Sequence, residues 1–310
     1  MIADISNMAL NKKGTLVKTT NWKNLSRGDR EKEYSPSSVI GGDYLPFIRQ
    51  YSELSTVARS VFRNLIECKY GPKLSNTLDL ILPETGLLIK PGPLIVFIHG
   101  GYWQELSKKE SLFPALGFAN EGIAFAALDY TLCPEVSLQE IVAECRSALV
   151  WLEREAANYN YDPERIIVAG SSAGAHLAAM CALSSSDYKG AGLSGPAACV
   201  LVSGIYDLEP LMETNINEAV KLTKEMAFSE SPLFGDLSGF PQTLIAWGER
   251  ETNEFKFQSN IFAEALKSSE TILQRLEVPR RNHFDVILDL ASKDTILGQQ
   301  VFRLIKDVCK

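Results

Sequence analysis

Five short apolar runs constrain the fold most: residues 94–98, 123–128, 166–169, 199–202 and 243–247. None alternates polar with apolar, so each reads as a strand buried on both faces, the signature of a parallel sheet covered by helices. The segments between them suit helices. Ser137 and Glu140 form an S-x-x-E capping box. Ile141, Val142, Cys145, Ala148, Leu149 and Leu152 then mark one helical face, and Leu297, Val301, Leu304, Ile305 and Val308 mark another near the C-terminus. Residues 76–82 alternate more and read as an antiparallel strand opening the sheet. Repeated strand–helix units of this kind predict a mostly parallel, twisted α/β sheet, with ligands bound beyond the carboxyl ends of its strands. Two stretches stand outside the alternation, residues 1–69 and 205–240. They are expected to form a small lid on a single domain spanning 1–310.

Composition narrows the partners. The 310 residues carry a net charge of −7 without a long basic cluster, which argues against nucleic acid. No apolar stretch is long enough to span a membrane. The N-terminal residues lack the basic-then-apolar layout of a secretory signal, so a cytoplasmic location is expected. Six cysteines are scattered without C-x-x-C pairs and read as reduced, small apolar residues. The three histidines neighbour no cysteine and are too dispersed to predict a zinc site. The expected partner is a small-molecule substrate, with no cofactor or metal and with a homodimer left open.

The run at 166–169 leads into Gly170-Ser171-Ser172-Ala173-Gly174, followed by a helical pattern over 175–183. G-x-S-x-G between a buried strand and a helix holds its serine on a sharp turn, with the hydroxyl out of the sheet beside a helix N-terminus. Ser172 is thus the candidate nucleophile, and Ser171 holds the x position, where its side chain should point elsewhere. A serine hydrolase also needs a base, an acid to orient it, and donors for an oxyanion. On this fold the chain order is serine, acid, histidine. His283 follows the strand-like residues 273–278 and is the candidate base; His176 fits helix packing better, and His99 fits a bracing role in its loop. Glu251 is the favoured acid, three residues beyond Gly248 after the run at 243–247, with Asp207, Glu249 and Glu254 as rivals. His99-Gly100-Gly101-Tyr102-Trp103 follows the run at 94–98 and matches the H-G-G loop that offers backbone N–H groups. Gly101, Tyr102 and Ala173 are the expected oxyanion donors. His99, Gly100 and Trp103 are candidates for contact with substrate, Trp103 with core packing as the equal alternative.

These residues resemble the α/β-hydrolases of the hormone-sensitive-lipase-like group, and within it the kynurenine formamidase (arylformamidase) family. The telling match is His99-Gly100-Gly101-Tyr102-Trp103, because the esterase branch usually has a third glycine where Tyr102 stands. Similarity extends to Tyr34-Ser35-Pro36-Ser37, to residues 170–177, to Ser203-Gly204-Ile205-Tyr206-Asp207-Leu208, to Glu254-Phe255 with Gln258-Ser259, and to His283-Phe284-Asp285. The resemblance implies an α/β-hydrolase fold, with Ser172, Glu251 and His283 in the triad positions. Two departures stand out: Glu251 replaces the family's usual aspartate, and Ser171 stands where the wider group often has histidine.

The chemistry expected is acyl transfer to water through an acyl-enzyme, on a small acyl group with an aromatic leaving portion. For N-formylkynurenine the products would be kynurenine and formate. A carboxylesterase acting on small-acyl or aryl esters is the second reading, and a hydrolase fold that only binds its ligand is the third. Arg280 and Arg281, close to His283, are either solvated or available to a substrate carboxylate.

Overall fold

In the computed structural model the described residues are 8–10, 12, 16–18, 22–62, 65–83, 91–183, 188 and 190–310. The first described elements are two short antiparallel strands, β1 (Met8–Leu10) and β2 (Leu16–Lys18). The other strands form one sheet: β3 (Ile66–Lys69), β4 (Thr77–Ile81), β5 (Gly92–Ile98), β6 (Ala124–Leu128), β7 (Tyr161–Ser171), β8 (Ala198–Val202), β9 (Gln242–Arg250) and β10 (Leu273–Asn282). The spatial order is β10-β9-β8-β7-β5-β6-β4-β3. β4 pairs antiparallel with both β3 and β6, and all other pairings are parallel.

Every residue of β5, β6 and β8 is buried, as their unbroken apolar character requires. Successive side chains point to opposite faces. Leu94, Val96 and Ile98 accordingly join one core, and Ile95 and Phe97 join the other. Helices Leu138–Tyr159, Ala173–Ala182 and Asn253–Ser268 cover the first face; Leu45–Val61, Ala115–Ala119 and Ile296–Val308 cover the second. The Ser137–Glu140 capping box starts its helix as expected: Ser137 Oγ accepts from the Glu140 N–H, and Glu140 accepts from the Ser137 N–H.

Strand β3 lies outside the sequence expectations. Its sequence, Ile-Glu-Cys-Lys, is short and alternates exposure at the sheet edge, so no apolar run announces it. The neighbouring β4 buries Asp79, which ion-pairs with Lys108 at 2.9 Å and Arg59 at 2.5 Å. Among the described residues no helix is long and apolar enough to cross a membrane.

The topology dictates where a site can form. The chain passes from β5 outward to β6, then returns across β5 to β7, so β5 and β7 flank the point where strand order reverses. Ligands bind beyond the carboxyl ends of strands at such a switch point. Register pairs Ile98 with Gly170, and Ser171 with Val202. The loops that begin at His99, Ser172 and Ser203 therefore emerge side by side.

Candidate active site

Ser172 lies between β7 and helix Ala173–Ala182, with φ 56° and ψ −122°. A non-glycine residue rarely adopts a positive φ, and such strain clusters at functional positions. The surrounding packing holds it there. A Cβ on Gly174 would lie 2.0 Å from the Ile98 carbonyl oxygen, so only glycine lets the helix start so close to the end of β5. The Ser172 N–H donates to the Val202 carbonyl at 2.9 Å, which ties the turn to β8.

His283 follows β10 and is buried. Its Nδ1 donates to Glu251 Oε2 at 2.9 Å. This fixes the tautomer and leaves Nε2 as the lone-pair nitrogen. The other carboxylate oxygen, Glu251 Oε1, accepts from Ser203 Oγ and from the Gly248 N–H, each at 2.6 Å. Phe255 packs edge-on against the imidazole, with centroids 4.5 Å apart.

The three rival carboxylates are engaged elsewhere. Asp207 accepts from the Glu209 N–H at 3.1 Å. Glu249 accepts from the Arg280 N–H at 2.6 Å, and Glu254 from the Tyr34 hydroxyl at 3.0 Å. Burial raises the Glu254 carboxyl above its ordinary range, with Glu33 adding to the effect and the Tyr34 hydrogen bond opposing it.

The H-G-G loop runs beside Ser172. Gly101 has φ 94°, and a Cβ there would lie 2.4 Å from the Glu105 carbonyl oxygen. Tyr102 and Trp103 also have positive φ, 48° and 61°. The hydrogen bonds among the described residues leave the N–H groups of Gly101, Tyr102 and Ala173 unused. His99 is stacked on Tyr130 with centroids 4.2 Å apart, and its Nδ1 donates to the Gly100 carbonyl at 2.9 Å. It braces the loop while one edge reaches the cavity.

Trp103 departs from one of its two expected roles. It is fully buried and packs edge-on against His176 at 5.0 Å, outside the cavity lining, because its large apolar ring is taken up by the core cluster that also holds the helix carrying His176. His176 donates from Nε2 to the Glu230 carbonyl at 2.6 Å, and burial lowers its pKa to about 4. It is a packing histidine. Arg281 is committed as well, donating twice to Asp289 at 2.8 and 2.7 Å.

A cavity of about 340 Å³ opens at this point, lined by Ser171, Ser172, His283, His99, Gly100, Gly101 and Tyr102. Its remaining wall comes from residues 31–51, including Tyr34, Tyr44, Ile48 and Tyr51, from residues 105–113, and from Phe97, Phe284 and Ile287, with Asn215 and Ile216 from the 205–240 stretch. Both stretches outside the strand–helix alternation thus reach the cavity; residues 1–7, 11, 13–15, 19–21 and 63–64 of the first lie outside the described residues. Phe284 is stacked between Tyr44 and Phe47, each at 5.6 Å, and its carbonyl accepts from the Tyr51 hydroxyl. The Tyr102 hydroxyl donates to the Tyr34 carbonyl at 2.5 Å. The N-terminal segment therefore grips both the histidine loop and the H-G-G loop. Sequence reasoning misses these contacts, and it misses the role of Ser203, whose signals are its place just past β8 and its presence in one of the motifs that carry the resemblance.

A family model described as BD-FAE matches residues 78–236. Kynurenine formamidase from Salmo salar is 31% identical over 296 residues, covering 92% of this chain and 98% of that protein. The chain belongs to the kynurenine formamidase family. The Danio rerio kynurenine formamidase is 30% identical, with 92% of this chain and 99% of that protein covered. Among solved structures, an esterase from Pyrobaculum calidifontis superimposes with a TM-score of 0.69 at 20% identity, covering 85% of this chain and 90% of that one. The fold is the α/β-hydrolase fold, and the chain is a hydrolase of the arylformamidase or esterase type. Most of the chain from residue 34 onward carries the similarity expected from its motifs.

Proposed function

We propose that this kynurenine formamidase relative is an arylformamidase working through a Ser172–His283–Glu251 triad and an acyl-enzyme. The observation that carries the reading is the oriented His283–Glu251 pair at the cavity that also holds the strained Ser172. Ser172 Oγ attacks the formyl carbonyl of an aryl formamide while His283 Nε2 takes its proton. The carbonyl oxygen becomes an oxyanion held by the N–H groups of Gly101, Tyr102 and Ala173; losing one such donor typically costs about 10²–10³ in rate. His283 then returns the proton to the aniline nitrogen as the C–N bond breaks. Water, deprotonated by His283, attacks the formyl-serine ester and releases formate, and the proton goes back to Ser172. N-formylkynurenine is the reference substrate, since the named relatives are kynurenine formamidases.

The aromatic wall suits an aryl leaving portion: Tyr34, Tyr44, Tyr51, Phe113 and Phe284 all line the cavity. The second reading, a carboxylesterase on aryl or small-acyl esters, uses the same groups. Rates on N-formyl anilides, N-acetyl anilides and matched esters separate the two. A formamidase shows kcat/KM for the formyl anilide far above that for the acetyl anilide, and Ser172→Ala abolishes all activities. Full activity in Ser172→Ala would refute the nucleophile assignment, and turnover of esters alone would favour the second reading.

A further inference from the structure

The H-G-G loop reverses direction over residues 101–104, where the Gln104 N–H donates to the Gly101 carbonyl at 2.9 Å. The two central residues of this turn, Tyr102 and Trp103, both have positive φ. Turns of that kind are normally filled by asparagine, aspartate or glycine, because a larger side chain crowds the backbone there. A tyrosine followed by a tryptophan must therefore be held from outside the turn. Trp103 is held by the core around its ring, and its carbonyl accepts from the Cys133 N–H at 2.7 Å. Tyr102 is held by its hydroxyl, which donates to the Tyr34 carbonyl at 2.5 Å, 68 residues earlier in the chain. That acceptor is itself fixed. Tyr34 is fully buried; its hydroxyl donates to Glu254 at 3.0 Å and accepts from Gln258 Nε2 at 3.3 Å. Gln258 Oε1 in turn accepts from the N–H groups of Tyr206 and Asp207, at 2.8 and 2.9 Å. The preceding residue, Glu33, accepts through its carbonyl from Thr252 Oγ1 at 2.6 Å, next in the chain to Glu251. A short path of hydrogen bonds and one peptide link thus joins the acid loop to the turn.

Resting on the oxyanion role proposed for this loop, we infer that the Tyr102 phenol is a positioning group: its tether to the Tyr34 carbonyl keeps the strained turn closed, so that the N–H groups of Gly101 and Tyr102 stay aimed at the oxygen of the scissile carbonyl. Such donors stabilise the oxyanion because they are set before the reaction begins and need no reorientation as charge develops. Without the tether, strain drives Tyr102 toward negative φ, and that relaxation turns the peptide units on either side of it. The N-terminal segment, through Tyr34, is then part of what holds the oxyanion donors, although it supplies none of them.

Two variants of the full chain test this. Tyr102→Phe deletes the hydroxyl and leaves the strain; Tyr102→Gly deletes both, since glycine adopts positive φ freely. Each is assayed on formanilide and on phenyl acetate, and for binding of phenylboronic acid. In that adduct the Ser172 oxygen bonds to boron, its proton passes to His283, and a boron-bound hydroxyl takes the oxyanion position. Tyr102→Phe should lower kcat on both substrates by about tenfold, short of the ~10²–10³ of a donor lost outright, keep KM for formanilide within about twofold, and weaken boronate binding by a matching factor. Tyr102→Gly should exceed Tyr102→Phe in kcat and in boronate affinity, although it removes the whole side chain. A ring that served packing alone would give the reverse order. Wild-type kcat and boronate affinity in a folded Tyr102→Phe protein, or Tyr102→Gly falling below Tyr102→Phe in both readouts, overturns the inference. Wild-type protein that turns over phenyl acetate but not formanilide, with the expected variant order on the acetate and the boronate, would instead sink the formamidase reading and leave the tether standing.

Discussion

Replacing Glu251 by glutamine tests the triad through a consequence that the structure makes unusually specific. The Gly248 N–H and the Ser203 hydroxyl both point at Oε1, each at 2.6 Å, and the N–H can only donate. The amide oxygen of a glutamine must take that position, since an NH₂ group there would face a donor. Its NH₂ then faces His283 Nδ1, where the carboxylate accepted at 2.9 Å. Two donors cannot share that hydrogen bond, so His283 shifts to the tautomer with its proton on Nε2. That nitrogen can no longer accept from Ser172. In serine proteases with an aspartate in this position, the equivalent change to asparagine costs about 10⁴ in turnover through the wrong tautomer. A loss of about 10³–10⁴ in kcat, with KM nearly unchanged, is expected for Glu251→Gln on the same grounds. Steady-state kinetics on a formyl anilide reads this, with the melting temperature as a check on folding. Retention of more than about a tenth of wild-type kcat by a folded Glu251→Gln protein would refute the assignment of Glu251 as the acid.

Ser203→Ala removes one of two donors on Glu251 Oε1 and should lower kcat about tenfold while KM stays constant, in line with the ~1.5–3 kcal/mol worth of a hydrogen bond to a charged group; unchanged kinetics would make Ser203 structurally incidental. His176 should set an acid limit on stability. Burial lowers its pKa to about 4 from 6.5, so the folded state binds its proton less readily than the unfolded chain, and its contribution is complete above pH 6.5 and lost as pH falls toward 4. That interval corresponds to roughly 3 kcal/mol, and denaturant titrations at neutral and acid pH should show His176→Gln losing less stability across it than wild type. Trp103→Phe should lower stability by about 1–3 kcal/mol while leaving the ratio of kcat/KM values for formyl and acetyl anilides unchanged, because the ring lies in the core; a shift in that ratio would return Trp103 to the substrate site.

The parts of the fold legible in the sequence are those where burial on two faces leaves an unbroken apolar run. β5, β8 and β9 contain the predicted residues and extend a few positions beyond them, and β6 covers all of its predicted run but Ile123. β3 is hidden because an edge strand with one face in solvent spells Ile-Glu-Cys-Lys. At the site, Ser172 and His283 are legible because the chemistry restricts residue type and the topology restricts order. The acid is harder. Asp207 follows β8, Glu249 lies near the end of β9, and Glu251 and Glu254 follow it, so the register of β9 against β10 determines which carboxylate meets the imidazole: Gly248 lies opposite Val278, and Arg250 opposite Asn282. The N-terminal wall is not legible in detail. Its grip comes from separated contacts, such as Tyr44 on Phe284 and the Tyr102 hydroxyl on the Tyr34 carbonyl, that leave no periodic trace.

The glutamate in the acid position follows from the same register. An acid three residues past Gly248 must reach both the imidazole beyond β10 and the donors at the ends of β8 and β9. The carboxylate of Glu251 spans these with one oxygen on His283 and the other on Ser203 and Gly248. Ser203 supplies its hydroxyl from a backbone with φ 54°, and its N–H is bound to the Ala246 carbonyl at 2.8 Å. Two strained serines therefore sit at the ends of adjacent strands, one expected to attack and the other holding the acid. An aspartate at 251 would retract the carboxylate by one methylene, and with the backbone pinned at Gly248 it could keep the strand-end donors or the imidazole but not both at their present lengths. The longer carboxylate side chain and the serine at the end of β8 thus form a matched pair, through which Glu251 would serve as the acid of the proposed triad.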